Sequence, residues 1–99
     1  MQVQSPEKIR EDAKLTAYRM AKMLGISQKN YNDIITGAIK TPNGKIIINL
    51  ILIAINYAGW SERKALQEVC KDFGIDEPTL EQRYNKNKKI EYKKKVKSS

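Results

Sequence analysis

Residues 17–36, AYRMAKMLGISQKNYNDIIT, hold the pattern from which the fold is read. It turns on Gly25, a residue able to take the positive φ that closes one helix and lets the chain change direction. Met20 and Ala21 stand five and four positions before Gly25, Leu24 and Ile26 flank it, and Tyr31 and Ile34 follow six and nine positions after. Ala21 is small where two helices must cross closely. The others are apolar, at spacings that let two short helices each bury one face. Ser27, just past the turn, suits the N-cap of the second helix. The spacing predicts a first helix ending at Leu24 and a second over about Gln28–Ile35, stopped by Thr36-Gly37.

Helix signals continue on both sides. Ser5-Pro6-Glu7 reads as a start, with Ser5 as N-cap, Pro6 at the first helical position and Glu7 complementing the dipole. That helix is expected to reach about Lys14, with Ile9 and Ala13 inward, after which Thr16 caps the next. Thr41-Pro42-Asn43-Gly44 is turn chemistry opening a fourth helix, about Lys45 to Tyr57. Its run IIINLILIAI, residues 46–55, is about half the length needed to cross a bilayer and contains Asn49, so it reads as a buried helix. It is apolar on nearly all sides. One face must pack on residues 17–36, and the other needs a cover, either the next helix or a partner subunit. Ser61 caps a fifth helix, Glu62 to Phe73, in which Ala65, Leu66, Val69, Cys70 and Phe73 form an apolar stripe closed by Gly74. Trp60, at the bend, reads as a core plug rather than a stacking platform. Asp76-Glu77-Pro78-Thr79 looks like one more helix start, with Leu80 and Tyr84 four apart. From Asn85 the pattern fades into Lys and Asn with isolated Ile90, Tyr92 and Val96, a frayed helix or disordered tail. The expected fold is all-α: a compact bundle of about five helices in one domain, residues 1–84, followed by a lysine-rich tail, 85–99, with no internal repeat.

The motif over 17–36 resembles the helix-turn-helix of the lambda-repressor and Cro-like family of regulators, also called the Xre family. The likeness runs from roughly Leu15 to Gly59. It includes GAIKTP, residues 37–42, which is similar to the family's Gly-x-x-x-x-Pro loop leading into a fourth helix. The resemblance implies that the second motif helix enters the major groove of double-stranded DNA and presents Ser27, Gln28, Lys29, Asn32 and Asp33 to the bases. Two residues depart from the family's pattern. Ile35 stands where many members have Glu, and Asp33 brings a negative charge to the reading face. Asp33 can accept from cytosine N4, or it can serve as a capping or internal salt-bridge residue, and both readings remain open.

Composition narrows the chemistry. The 99 residues contain one cysteine and no histidine, which excludes an internal disulfide and any Cys/His zinc site. Cys70 lies in an apolar stripe and reads as a buried thiol. Without a glycine-rich phosphate cradle or a base near that thiol in sequence, nothing here reads as an enzyme, and no cofactor, metal or small-molecule ligand is implied. Met1 to Arg10 is polar, so no secretory signal is expected, and the expected setting is cytoplasmic, at the nucleoid. The net charge of +8 is unevenly spread. Residues 83–99 carry eight basic residues against one acid and residues 14–45 carry six against one, whereas the remainder is net acidic. A polyanion partner explains that asymmetry; the alternative is a merely solvated lysine run.

Side-chain chemistry assigns roles within the resemblance. Gln28 and Asn32 suit adenine N6 and N7, and Lys29 suits guanine O6 and N7. Thr16 and Ser27 sit at helix N-termini, where backbone N–H groups can hold phosphate oxygens. Lys22, Lys40 and Thr41 are expected beside the phosphate ridge. Tyr18 either packs on the sugar-phosphate backbone or is surface decoration. Lys86, Lys88, Lys89, Lys93, Lys94, Lys95 and Lys97 would form a non-specific DNA-binding tail. One recognition helix reads few base pairs, and family members meet that limit by dimerising, so the resemblance implies a homodimer, with the fourth and fifth helices as candidate surfaces. The leading expectation is a phage or mobile-element transcriptional repressor. Its rivals are the antitoxin of a toxin–antitoxin pair, with residues 61–99 binding a protein, and a non-DNA interaction protein on the same fold.

Overall fold

The helices begin where a short side chain turns back onto its own backbone. Thr16 Oγ1 accepts from the Arg19 N–H at 3.1 Å, Ser27 Oγ from Asn30 at 3.1 Å, Asn43 Oδ1 from Ile46 at 3.0 Å and Ser61 Oγ from Lys64 at 3.1 Å. Asp76 accepts from the Thr79 N–H in the same way. Each bond satisfies a donor that the helix leaves without an internal partner. In the computed structural model, which describes residues 5–86, the elements are α1 (Ser5–Asp12), α2 (Ala17–Leu24), α3 (Gln28–Thr36), α4 (Gly44–Asn56), α5 (Glu62–Phe73) and α6 (77–86). The all-α expectation holds. The sixth helix is the one that the Leu80–Tyr84 spacing announced, and both side chains are buried in it.

Two boundaries differ from expectation, both in α1. The helix stops at Asp12, and Lys14 takes a left-handed φ of 58° instead of continuing it. Ser5 is not a cap: its hydroxyl is buried without a hydrogen-bond partner among the described residues, and its backbone N–H donates to the Asp72 carboxylate of α5. The start of α1 is thus satisfied from across the fold, and Ala13 beyond its end is half-buried.

Helix α4 is the hub. Leu50 and Ile51 are completely buried, and α4 packs against α1, α2 and α5. The cover that its second apolar face required is therefore supplied within the chain, chiefly by α5. Trp60 plugs the α4–α5 bend: its indole N–H donates to Asp12 at 2.6 Å and the Lys64 ammonium lies 4.4 Å from the ring centroid. Cys70 is a buried free thiol whose pKa is pushed up, first by burial and then by Glu77 and Asp76. No helix among the described residues is long and apolar enough to cross a membrane.

Candidate nucleic-acid interface

The turn between α2 and α3 sets the site. Gly25 has φ 75°, its N–H donates to the Lys22 carbonyl at 3.1 Å, and the Ile26 N–H donates to the Ala21 carbonyl at 3.0 Å. This pair of reversed bonds closes α2, and Ile26 folds back against the core. Ala21, Leu24, Tyr31 and Ile34 are buried, in a motif where α2 packs on both α3 and α4. With Tyr31 and Ile34 turned inward, the opposite side of α3 faces outward. Gln28, Lys29 and Asn32 are all exposed there, one turn apart at most. Asn30, absent from the predicted set, is exposed as well. The sequence signal for it was its polarity, outside the apolar stripe of α3.

Asp33 is half-buried, and its Oδ2 lies 3.5 Å from the Lys29 ammonium one turn back. The internal ion pair is thus realised on the outward side of α3. An exposed pair of this kind holds Lys29 by only a few tenths of a kcal/mol, roughly, so the lysine can leave it for a stronger partner. Ser27 is exposed but acts first as a cap, its Oγ engaged by Asn30. Thr16 does the same for α2. Lys22, Lys40 and Thr41 are exposed, Tyr18 is 59% exposed with the Lys22 ammonium 5.7 Å from its ring centroid, and Arg19 is exposed beside the Thr16 cap. Lys86 is exposed on α6; Lys88, Lys89, Lys93, Lys94, Lys95 and Lys97 lie outside the described residues.

A polar cluster behind α3 escaped the sequence reading. The Tyr31 hydroxyl donates to Glu7 Oε2 at 2.5 Å, and Arg10 donates to both oxygens of that carboxylate at 2.9 and 3.1 Å. Arg10 also donates to the Leu15 carbonyl at 2.9 Å, just ahead of the α2 cap. Helix α1 therefore grips both motif helices, α3 through Tyr31 and the approach to α2 through Leu15. Arg10 holds the Glu7 carboxyl below its ordinary range, burial opposes, and the Tyr31 bond adds to the lowering. Burial, and then Glu7, push the Tyr31 phenol far above its ordinary range, so it stays a neutral donor.

Residues 7–52, just under half of the chain, match the family model described as Helix-turn-helix. These residues are a helix-turn-helix domain of the lambda-repressor-like, Xre family. The match begins at Glu7, earlier than the Leu15 boundary expected from the motif. The matched residues thus take in α1 from Glu7 onward, the helix that carries the Glu7–Arg10 grip on the motif. Neither the curated proteins nor the solved structures compared with the chain give a match. The family assigns the domain to DNA-binding regulators of transcription. Among the described residues, no group of three or more His, Cys, Asp and Glu side chains is placed to hold a metal ion.

Proposed function

We propose that the protein is a sequence-specific regulator that reads the major groove of duplex DNA with α3. One observation carries this reading: the exposure of Gln28, Lys29 and Asn32 on one side of a helix whose other side is locked into the core. Gln28 and Asn32 are the bidentate readers of adenine and Lys29 the reader of guanine, each good bidentate contact discriminating by roughly 1–3 kcal/mol. Ser27 supports them as the cap of α3 and as a short polar side chain at the groove edge. Asp33 tunes Lys29, and accepts from cytosine where it meets one. Thr16, Tyr18, Lys22, Lys40 and Thr41 contact the backbone and fix register without reading sequence.

The regulator acts as a homodimer, because one short helix spans too few base pairs for a unique site. The apolar shell of α4 is least complete toward its end, where Leu52 and Ile55 are half-buried and Tyr57 is 60% exposed, and this supports α4 as part of the dimer surface. Action as a repressor, and a phage or mobile-element source, rest on the family likeness alone.

Selection of bound sequences from a random duplex pool tests the reading. The expected winners are palindromes with half-site centres about 10 base pairs apart. Gln28→Ala should relax the preference at one position of each half-site. Removal of the residues after Tyr84 should weaken binding to all duplexes by similar factors and flatten the salt dependence. No enrichment over the starting pool, with folded protein, would refute sequence-specific reading.

A further inference from the structure

On the outward side of α3 a cation and an acid stand together. At about 100° per residue, Lys29 falls opposite the midpoint of the buried Tyr31 and Ile34, and Asp33 lies one turn on, beside it. The Lys29 ammonium and Asp33 Oδ2 are 3.5 Å apart, and both side chains still meet solvent, at 85% and 32% exposure. Helix α3 is held firm beneath the pair, since the Asp33 carbonyl accepts from the Ile39 N–H at 2.9 Å. Asp33 is also the one acid of residues 14–45, which carry six basic residues. A carboxylate in this place repels the phosphates on both sides of a groove. It also loses water when a duplex closes over it, so it needs a donor from the duplex.

We propose that Lys29 and Asp33 act as one reader of a single G·C base pair, with their ion pair intact. The proposal rests on the reading of α3 as the major-groove helix, and adds to it the identity of one base pair. The Watson–Crick bond from cytosine N4 to guanine O6 holds a donor group and an acceptor about 2.9 Å apart on the major-groove edge. The Lys29–Asp33 separation of 3.5 Å matches that spacing closely enough for two parallel hydrogen bonds. Lys29 donates to O6 and to N7 beside it, and Asp33 accepts the N4 hydrogen that base pairing leaves free. Neither charge gives up its partner. The other base pairs fit less well. C·G reverses the order of donor and acceptors, and A·T sets a donor against the ammonium and an acceptor against the carboxylate. T·A keeps an acceptor beside a donor, but its O4 replaces the two acceptors of guanine and adenine N7 comes next to the carboxylate.

The test selects bound duplexes from a random pool with the full chain, unmodified and as Lys29→Ala, Asp33→Ala and the double variant, each shown to be folded by circular dichroism. The selected site should hold a G·C pair that both single variants relax, the double variant losing less than the product of the two single losses. Replacing that pair in the selected duplex should weaken the unmodified protein roughly 5- to 150-fold. N4-methylcytosine, which removes the free N4 hydrogen, should weaken the unmodified protein at that position and leave Asp33→Ala unaffected. The modified base needs no substitution in the protein, and its having no effect on the unmodified chain would overturn the proposal. So would relaxation of two different base pairs by the two single variants. Tighter binding of Asp33→Ala to all duplexes by similar factors, with preference unchanged, would overturn it while leaving the regulator reading intact. Should the folded, unmodified protein select no sequence, the regulator reading fails, and the proposal with it.

Discussion

Tyr31 shows how one hydroxyl ties α3 to α1. It is completely buried in α3, between the exposed Asn30 and Asn32, and its hydroxyl donates to a carboxylate 24 positions away. Tyr31→Phe keeps the ring and removes the bond, so a urea titration should show a loss of about 1–2 kcal/mol. The same cluster sets a pH response of definite sign. Glu7 titrates below its ordinary value of 4.5 in the folded state, so its contribution is complete above that pH and is lost as pH falls through the lowered value. Tyr31 has the opposite sense: its contribution is complete below its ordinary value of 10.0 and is lost as pH rises toward the raised one. Glu7→Gln should therefore flatten the acid side of a stability–pH profile, and Tyr31→Phe the alkaline side. An unchanged acid limb in Glu7→Gln would show that other carboxylates govern it.

At the scale of elements, turns and caps set where each helix points. Gly25 holds φ 75° with nothing within 4 Å of a Cβ, so space is not the constraint there. Gly25→Ala should cost about 1–2 kcal/mol through left-handed strain alone. Gly44 differs, lying in the first turn of α4 with only an ordinary 3.7 Å contact awaiting a Cβ. Gly44→Ala should be neutral or stabilise by up to about 1 kcal/mol, and thermal melts of the two variants would check the contrast. Gly25, Ser27, Asn43 and Ser61 were legible in the sequence because caps and turns act over three or four residues. The start of α1 misled for the same reason. Ser5 has the right residue type in the right place, yet the Asp72 carboxylate takes its backbone N–H and its hydroxyl is buried.

On the scale of the whole molecule, α4 is the element on which α1, α2 and α5 all pack, while α3 rests on α2. Leu50 is fully buried at the centre of α4, and Leu50→Ala should cost about 2–5 kcal/mol, a large part of what a domain of this size has. Calorimetry should show the lowered midpoint, and DNA binding should fall with the folded fraction rather than with any change in site preference. Helix positions, their apolar faces and the outward set on α3 follow from the order of residues, since periodicity, capping and turn conformation are short-range effects. Which residues meet across the fold does not follow from it. Tyr31–Glu7, Trp60–Asp12 and Ser5–Asp72 join positions 24, 48 and 67 apart, and Arg83 reaches Gly44 only once Leu80 is seated. A carboxylate on α1 looks the same in sequence whether it faces water or a tyrosine. Only the packing of α1, α5 and α6 around α4 decides which polar groups lose water, and a group that loses water must find a partner inside.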